Sequence, residues 1–190
     1  MPPMPDASQA PLFFALPAPA AVQALAGRVQ EAVRSGPGAA SFPPLEGLHV
    51  TLAFLGRVDP GTAGALVELA RAAARGLPGF PLATGAWGGF PRFGQARVLW
   101  LGFERQPVLV QLAAGLAQIL QAGGIPLDPR PFTPHLTLAR FRAPVDLGGL
   151  SLPPPEPVAF AVSRFGLYQS AGTPLGPRYQ ELGSVPLPVP

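Results

Sequence analysis

Hydrophobic and polar positions alternate along this chain with two periods, and the change of period marks its elements. Residues 11–16 (PLFFAL) form a short apolar run that predicts a buried strand. Over residues 18–33 the apolar positions recur at helical spacing, with Arg28, Glu31 and Arg34 late in the segment, which predicts an amphipathic helix. A Gly- and Pro-rich loop over 35–44 leads to a strand over 48–55, closed by Gly56. Residues 61–75 predict a second helix, with Leu66, Leu69, Ala70 and Ala73 on one side, and glycines at 76 and 79 stop it. Residues 80–90 read as an extended stretch broken by glycines, and 97–103 (RVLWLGF) as a strong strand. A third helix over 108–120 carries the stripe Leu109, Leu112, Leu116, Ile119, Leu120 and ends at Gly123 and Gly124. Another strand runs from about His135 to Phe141, and 158–168 and 178–182 supply closing strands. The stretch 184–190 holds three prolines and reads as an irregular tail.

Within this pattern the only two histidines each open the same phrase, His49-Val50-Thr51-Leu52 and His135-Leu136-Thr137-Leu138. On a strand, side chains alternate faces, so His and Thr at i and i+2 project together while the intervening apolar residues point into a core. Two such strands bring two imidazoles and two hydroxyls to one cleft. With six Thr in 190 residues, Thr two places after both histidines arises by chance about once in a thousand. Prolines precede both phrases (Pro43 and Pro44; Pro131 and Pro134), where they set a strand's start without costing an interior ladder bond. Beyond the phrase the two halves align poorly. Mixed strands and helices, without regular parallel crossover units, predict an α+β fold: two lobes facing each other across a groove.

Composition removes several chemistries. The chain has no Cys, which excludes disulfides, thiol nucleophiles and thiolate metal sites. It also has no Lys: all 13 basic residues are Arg. A covalent lysyl-nucleotide intermediate, a Schiff base and a Lys-bearing phosphate loop are therefore excluded. A net charge of +3 permits anionic ligands without implying a general nucleic-acid coat. Glycine and proline together make 51 of 190 residues, read here as stiff loops between folded elements. The uncharged run over 7–27 is long enough to span a membrane, but prolines and glutamines interrupt it and no basic cluster precedes it. The expectation is a cytoplasmic protein with no membrane contact.

The chain resembles the 2H phosphoesterases, defined by two His-x-Thr/Ser-x motifs, and within them the RNA 2′,3′-cyclic phosphodiesterase (LigT-like) branch. The resemblance rests on LFFAL at 12–16, LHVTLAFLG at 48–56, RVLWLG at 97–102, RPFTPHLTLAR at 130–140 and FGLYQS at 165–170, in family order. One departure is Ser41-Phe42-Pro43-Pro44, where members often carry an aromatic-basic phrase. The resemblance implies a single bilobal domain over 1–190, mainly antiparallel sheet plus helices, with a pseudo-twofold axis and one His-x-Thr strand per lobe. It implies metal-independent hydrolysis of an RNA or nucleotide 2′,3′-cyclic phosphate to a 2′-phosphate by a monomer without a cofactor. His49 would be the general acid and His135 the general base, with Thr51 and Thr137 holding phosphoryl oxygens. The same acid and base serve the reverse reaction, 2′-5′ ligation to a 5′-hydroxyl end, and sequence does not separate the two. Arg140 falls where the family carries a phosphate-contacting Arg, although strict alternation sends position i+5 to the face opposite His135, so a bulge or strand end must redirect it. Arg130 in the approach loop is a further binding candidate, and Arg97 marks the edge of a strand. Phe13, Phe14, Phe54, Trp100 and Phe132 are core by pattern, with one free to stack on a nucleobase; no spacing argument picks which.

Overall fold

The structure, a computed structural model of the chain, describes residues 9–36, 38–173 and 176–188. Its strands are β1 (Ala10–Pro17), β2 (Ala40–Ser41), β3 (His49–Val58), β4 (Phe80–Phe90), β5 (Ala96–Phe103), β6 (His135–Val145), β7 (Ala159–Val162), β8 (Arg164–Thr173) and β9 (Gly176–Pro186). The helices are α1 (Ala20–Arg34), α2 (Ala63–Ala73) and α3 (Pro107–Ala122). Each predicted helix is present within a few residues, but the single strand expected over 158–168 is two separate strands, β7 paired with β4 and β8 paired with β1 and β9.

The strands form one curled antiparallel sheet in the order β7-β4-β5-β6-β3-β1-β8-β9, with β2 added to β6. Four strands lie on each side of the β6–β3 junction, and the two His-x-Thr strands are the inner strand of each half. A single register pair joins them, Val50↔Leu136. Each of those residues directly follows its histidine, so a local twofold passes between them. Shifting one residue either way along this antiparallel register sets His49 across from Thr137 and Thr51 across from His135.

The helices cover the other face. Helix α1 buries Val22, Leu25, Ala26, Val29 and Val33 and lies against β6, whereas α2 and α3 pack together behind β3, β8 and β9. Phe14 on β1 and Phe165 on β8 are fully buried and meet edge to face at 6.1 Å. The apolar residue after each histidine goes to this side, with Val50 2 % and Leu136 0 % exposed. Burying such a side chain contributes about 1.5–3 kcal/mol, which is what holds the opposite, polar side of both strands toward the cleft.

Two expectations are corrected. Gly56 does not close its strand: β3 runs on to Val58, and Gly56 takes φ +73° beside a register shift against β1. The 184–190 stretch is not an irregular tail. Ser184–Pro186 complete β9, Val185 and Leu187 are buried, and Leu187 N donates to Ser163 O (2.7 Å) while Gly79 N donates to Pro188 O (2.6 Å). Alternating proline permits this, because the residues between prolines keep their N–H groups. Residues 189 and 190 of the stretch, like 7 and 8 of the uncharged run, lie outside the described residues. No described helix is long and apolar enough to cross a membrane.

Candidate active site

The site is built twice, once on each half of the sheet. In β3 the burial pattern over His49-Val50-Thr51-Leu52-Ala53-Phe54 alternates until Leu52 and Ala53, which are both buried. In β6 the same break falls at Leu138 and Ala139. The ladders give the reason. Against β5, Trp100 pairs Thr137 and Leu99 pairs Ala139, leaving Leu138 as an extra residue. Against β1, Ala15 pairs Thr51 and Phe14 pairs Ala53, leaving Leu52 extra. A bulge of one residue inverts the alternation beyond it. Arg140 therefore returns to the face that carries His135 and Thr137, as the resemblance required, and Phe54 returns to the face of His49 and Thr51.

Both imidazoles are held in the same way. His49 Nδ1 lies 2.7 Å from Gly47 O, and His135 Nδ1 lies 2.7 Å from Thr133 O. A carbonyl only accepts, so each Nδ1 carries the hydrogen and each Nε2 is left for chemistry, empty in the neutral ring and protonated in the cation. Aromatic rings wall each imidazole. Phe13 stacks on His49 at 4.7 Å and Tyr179 meets it edge-on at 4.9 Å; Phe90 meets His135 edge-on at 5.0 Å and Trp100 lies 6.1 Å away. Two glycines make room for these walls. A Cβ at position 47 would stand 2.8 Å from Tyr179 Cδ2, and one at position 88 would stand 2.1 Å from the Trp100 indole.

Burial lowers the pKa of both histidines below the ordinary 6.5, opposed in each by the bond to the backbone carbonyl. The positive forms of His135 and Arg140 lower His49 further, and Arg140 and then Arg130 lower His135. Arg140 thus acts on both rings, and on the Tyr179 phenol, whose pKa burial raises. Among the ion pairs of the described residues, Arg140 takes part in none. Arg130 is differently placed. Its guanidinium engages Asp128 through the Nε–Nη2 edge, with Nε 3.0 and 2.9 Å from the two carboxylate oxygens, while its charge still acts on His135. Arg97 donates to Arg142 O (3.1 Å) and serves the strand edge.

A pocket of about 320 Å³ opens beside His49, lined among others by Pro17, Glu46, Tyr168, Arg178 and Tyr179. The sequence reading missed Glu46, Arg178 and Tyr179. Only the register of β9 against β8 and the approach turn before β3 bring them to the histidine. Of the five aromatics assigned to the core by pattern, Phe13 and Phe14 are buried and Phe132 packs against the core. Trp100 is half-buried at the cleft, and Phe54 is 54 % exposed, which corrects its assignment. Sequence reasoning also missed Gln30. This buried side chain on α1 donates from Nε2 to Pro43 O (3.0 Å) and to Leu138 O (3.2 Å), the carbonyl of the extra residue in the β6 bulge. Among the described residues no group of three His, Cys, Asp or Glu side chains converges as a metal ion would need.

A curled antiparallel sheet with a twofold pair of His-x-Thr strands facing one cleft defines the two-histidine phosphoesterase class. Residues 16–174 match the 2′-5′ RNA ligase superfamily, and the chain belongs to that family. It is similar to the RNA 2′,3′-cyclic phosphodiesterase of Thermotoga maritima (31% identity over 159 residues, 81% of this chain and 82% of that one). It is likewise similar to that of Geobacillus stearothermophilus (32% over 146 residues, 75% of this chain). The matched segment spans about half, 46%, of the Geobacillus protein. Among solved structures it superposes on TT0787 of Thermus thermophilus with a TM-score of 0.80 (32% identity, 94% of this chain and 98% of that chain). On E. coli LigT complexed with 3′-AMP the TM-score is 0.76 (32% identity, 94% and 98%).

Proposed function

We propose that this protein opens 2′,3′-cyclic phosphates of RNA or nucleotides to 2′-phosphomonoesters, by metal-independent general acid–base catalysis between His49 and His135. The observation that carries this reading is the twofold pair itself. Two imidazoles with Nδ1 tied to carbonyls present two Nε2 atoms to one cleft, each across from the other strand's threonine. In-line displacement at phosphorus needs a base on one side and an acid on the other. Neutral His135 takes a proton from water as the new P–O bond forms. The P–O3′ bond breaks, and protonated His49 gives its proton to O3′. Thr51 and Thr137 donate hydroxyl hydrogens to the nonbridging oxygens, and the Arg140 guanidinium balances their charge.

Electrostatics supports the pairing of states. In the free protein, burial and Arg140 disfavour both cations. A bound phosphodiester anion favours one imidazolium again, supplying the acid only when substrate is present. The pocket beside His49 then receives the nucleoside that carries the cyclic phosphate, because O3′ belongs to that ribose. The named activity of the curated relatives and the 3′-AMP complex of the similar E. coli structure support the same substrate class.

The test is a product assay with an oligoribonucleotide ending in 2′,3′-cyclic phosphate, in excess EDTA, for the wild type and for His49→Gln and His135→Gln. The expected product is a terminal 2′-phosphate, with each variant slowed at least about 10²–10⁴-fold at unchanged thermal stability. A 3′-phosphate product would reverse the leaving oxygen and undo the two roles. Turnover that survives either substitution, or that chelator abolishes, would sink the mechanism.

A further inference from the structure

The pocket beside His49 holds two opposite charges that do not pair. Glu46, on the turn before β3, and Arg178, on β9, both line it, yet no ion pair of the described residues includes either. That sets Glu46 apart from most carboxylates of this chain. Every described carboxylate except Glu46 and Glu104 bonds a guanidinium or a backbone N–H, and Glu104 does not line the pocket. The Arg178 guanidinium likewise has no hydrogen-bond partner among the described residues. Around the two charges, Pro17, Pro44, Tyr168 and Tyr179 supply apolar and flat walls, and the Tyr168 hydroxyl is already committed to Glu181 (3.0 Å).

On the reading of this chain as a cyclic phosphodiesterase with His49 beside O3′, on which this inference rests, the group entering that pocket is the nucleobase of the same nucleoside. A volume of about 320 Å³ lies at the small end of ligand pockets and suits one base. A second phosphate would be drawn to Arg178 but repelled by Glu46, whereas a neutral base is not. An ionised carboxylate only accepts, through two oxygens side by side. A guanidinium only donates, through a fork of N–H groups. The occupant must therefore turn donors to Glu46 and acceptors to Arg178.

Of the four bases, guanine alone sets two adjacent donors, N1–H and N2–H, next to two adjacent acceptors, O6 and N7. Adenine and cytosine each offer a carboxylate one amino group, and uracil one ring N–H. Where guanine has N1–H, adenine has a lone pair, which an anionic oxygen repels. We propose that Glu46 and Arg178 read the base that carries the cyclic phosphate, and that the site prefers guanine. The Glu46 carboxylate accepts from N1–H and N2–H, and the Arg178 guanidinium donates to O6 and N7. Neither side chain takes part in the bond changes at phosphorus, so their effect falls on substrate binding and on selection between bases.

The experiment measures kcat and KM on 2′,3′-cyclic GMP, AMP, CMP and UMP for the wild type, Glu46→Gln and Arg178→Lys, each checked for unchanged thermal stability. Gln replaces one acceptor oxygen by an N–H that meets guanine's own donors; Lys keeps the positive charge and loses the fork. The wild type is expected to favour cyclic GMP over cyclic AMP by about tenfold or more in kcat/KM, the scale of one bidentate base contact. Each variant is expected to lose most of that ratio, chiefly through KM for cyclic GMP. A wild-type ratio near one, or a preference for another base, overturns the proposal. So does a guanine preference that survives both substitutions. So does an equal loss on all four nucleotides, which would put the two side chains against the ribose or a phosphate. A wild type inert on all four would instead remove the phosphodiesterase reading, and this one with it.

Discussion

At the scale of single residues, the site is governed by how cations share a small volume. Two half-buried imidazoles and the Arg140 guanidinium share the cleft, and each positive charge disfavours the next. The proposed mechanism uses one imidazole neutral and one protonated, so kcat/KM is expected to peak between the two macroscopic pKa values of the pair. Both values are lowered, which places the peak on the acid side of 6.5. Arg140→Gln removes a cation that opposes protonation, so both values rise and the profile moves to higher pH, while its maximum falls because the phosphoryl charge loses a partner. A pH series of kcat/KM on a cyclic mononucleotide measures both effects, and a shift toward lower pH would contradict this electrostatic account. The identity of the pair was legible from two His-x-Thr phrases, because alternation on a strand is local geometry. The guanidinium's reach to both rings was not, because it depends on where two distant strands cross.

At the scale of elements, the bulge is the decisive feature. Without the extra Leu138, position 140 would face the helices and the cleft would lose that guanidinium. The bulge leaves a carbonyl out of the ladder, and Gln30 reaches from α1 to satisfy it, bonding Pro43 of the approach loop with the same nitrogen. One side chain therefore ties a helix, a loop and the kink that aims Arg140. Gln30→Leu preserves most of the volume and removes the donor, stranding two acceptors at a buried site. Chemical denaturation should show a loss of about 1–3 kcal/mol. A turnover loss exceeding that of a comparably destabilising core variant would mark Gln30 as a positioning residue; a stability loss alone would limit it to the fold. The family resemblance, which puts Arg140 in the cleft, already requires a redirected strand at this point, since Arg140 stands at an odd offset from His135. It offers no hint of Gln30, which sits where a helical stripe leads one to expect an apolar residue.

At the scale of the whole molecule, the first and last described segments close the sheet. β1 lies between β3 and β8, and the last described residues pack Val185 and Leu187 into the core. Leu187→Ala should cost about 2–5 kcal/mol in a thermal or denaturant melt, far more than truncation in a loose tail would. A change below about 0.5 kcal/mol, ordinary for an exposed position, would refute that packing. Proline content alone pointed the other way, because it reports backbone freedom and says nothing of whether alternate side chains find a core. The sequence by itself determined the helices, the long strands, the excluded thiol and lysine chemistries, and the two phrases that bring imidazole and hydroxyl to one face. These follow from periodicity and residue type, which act within a few residues of chain. Tertiary structure alone decided which aromatic wall stands by which imidazole, that Glu46, Arg178 and Tyr179 line a pocket beside His49, and that the symmetric cleft ends in Arg140 on one side and Phe54 on the other. Those depend on register between strands far apart in the chain, and a one-residue slip in a sheet reverses every face beyond it.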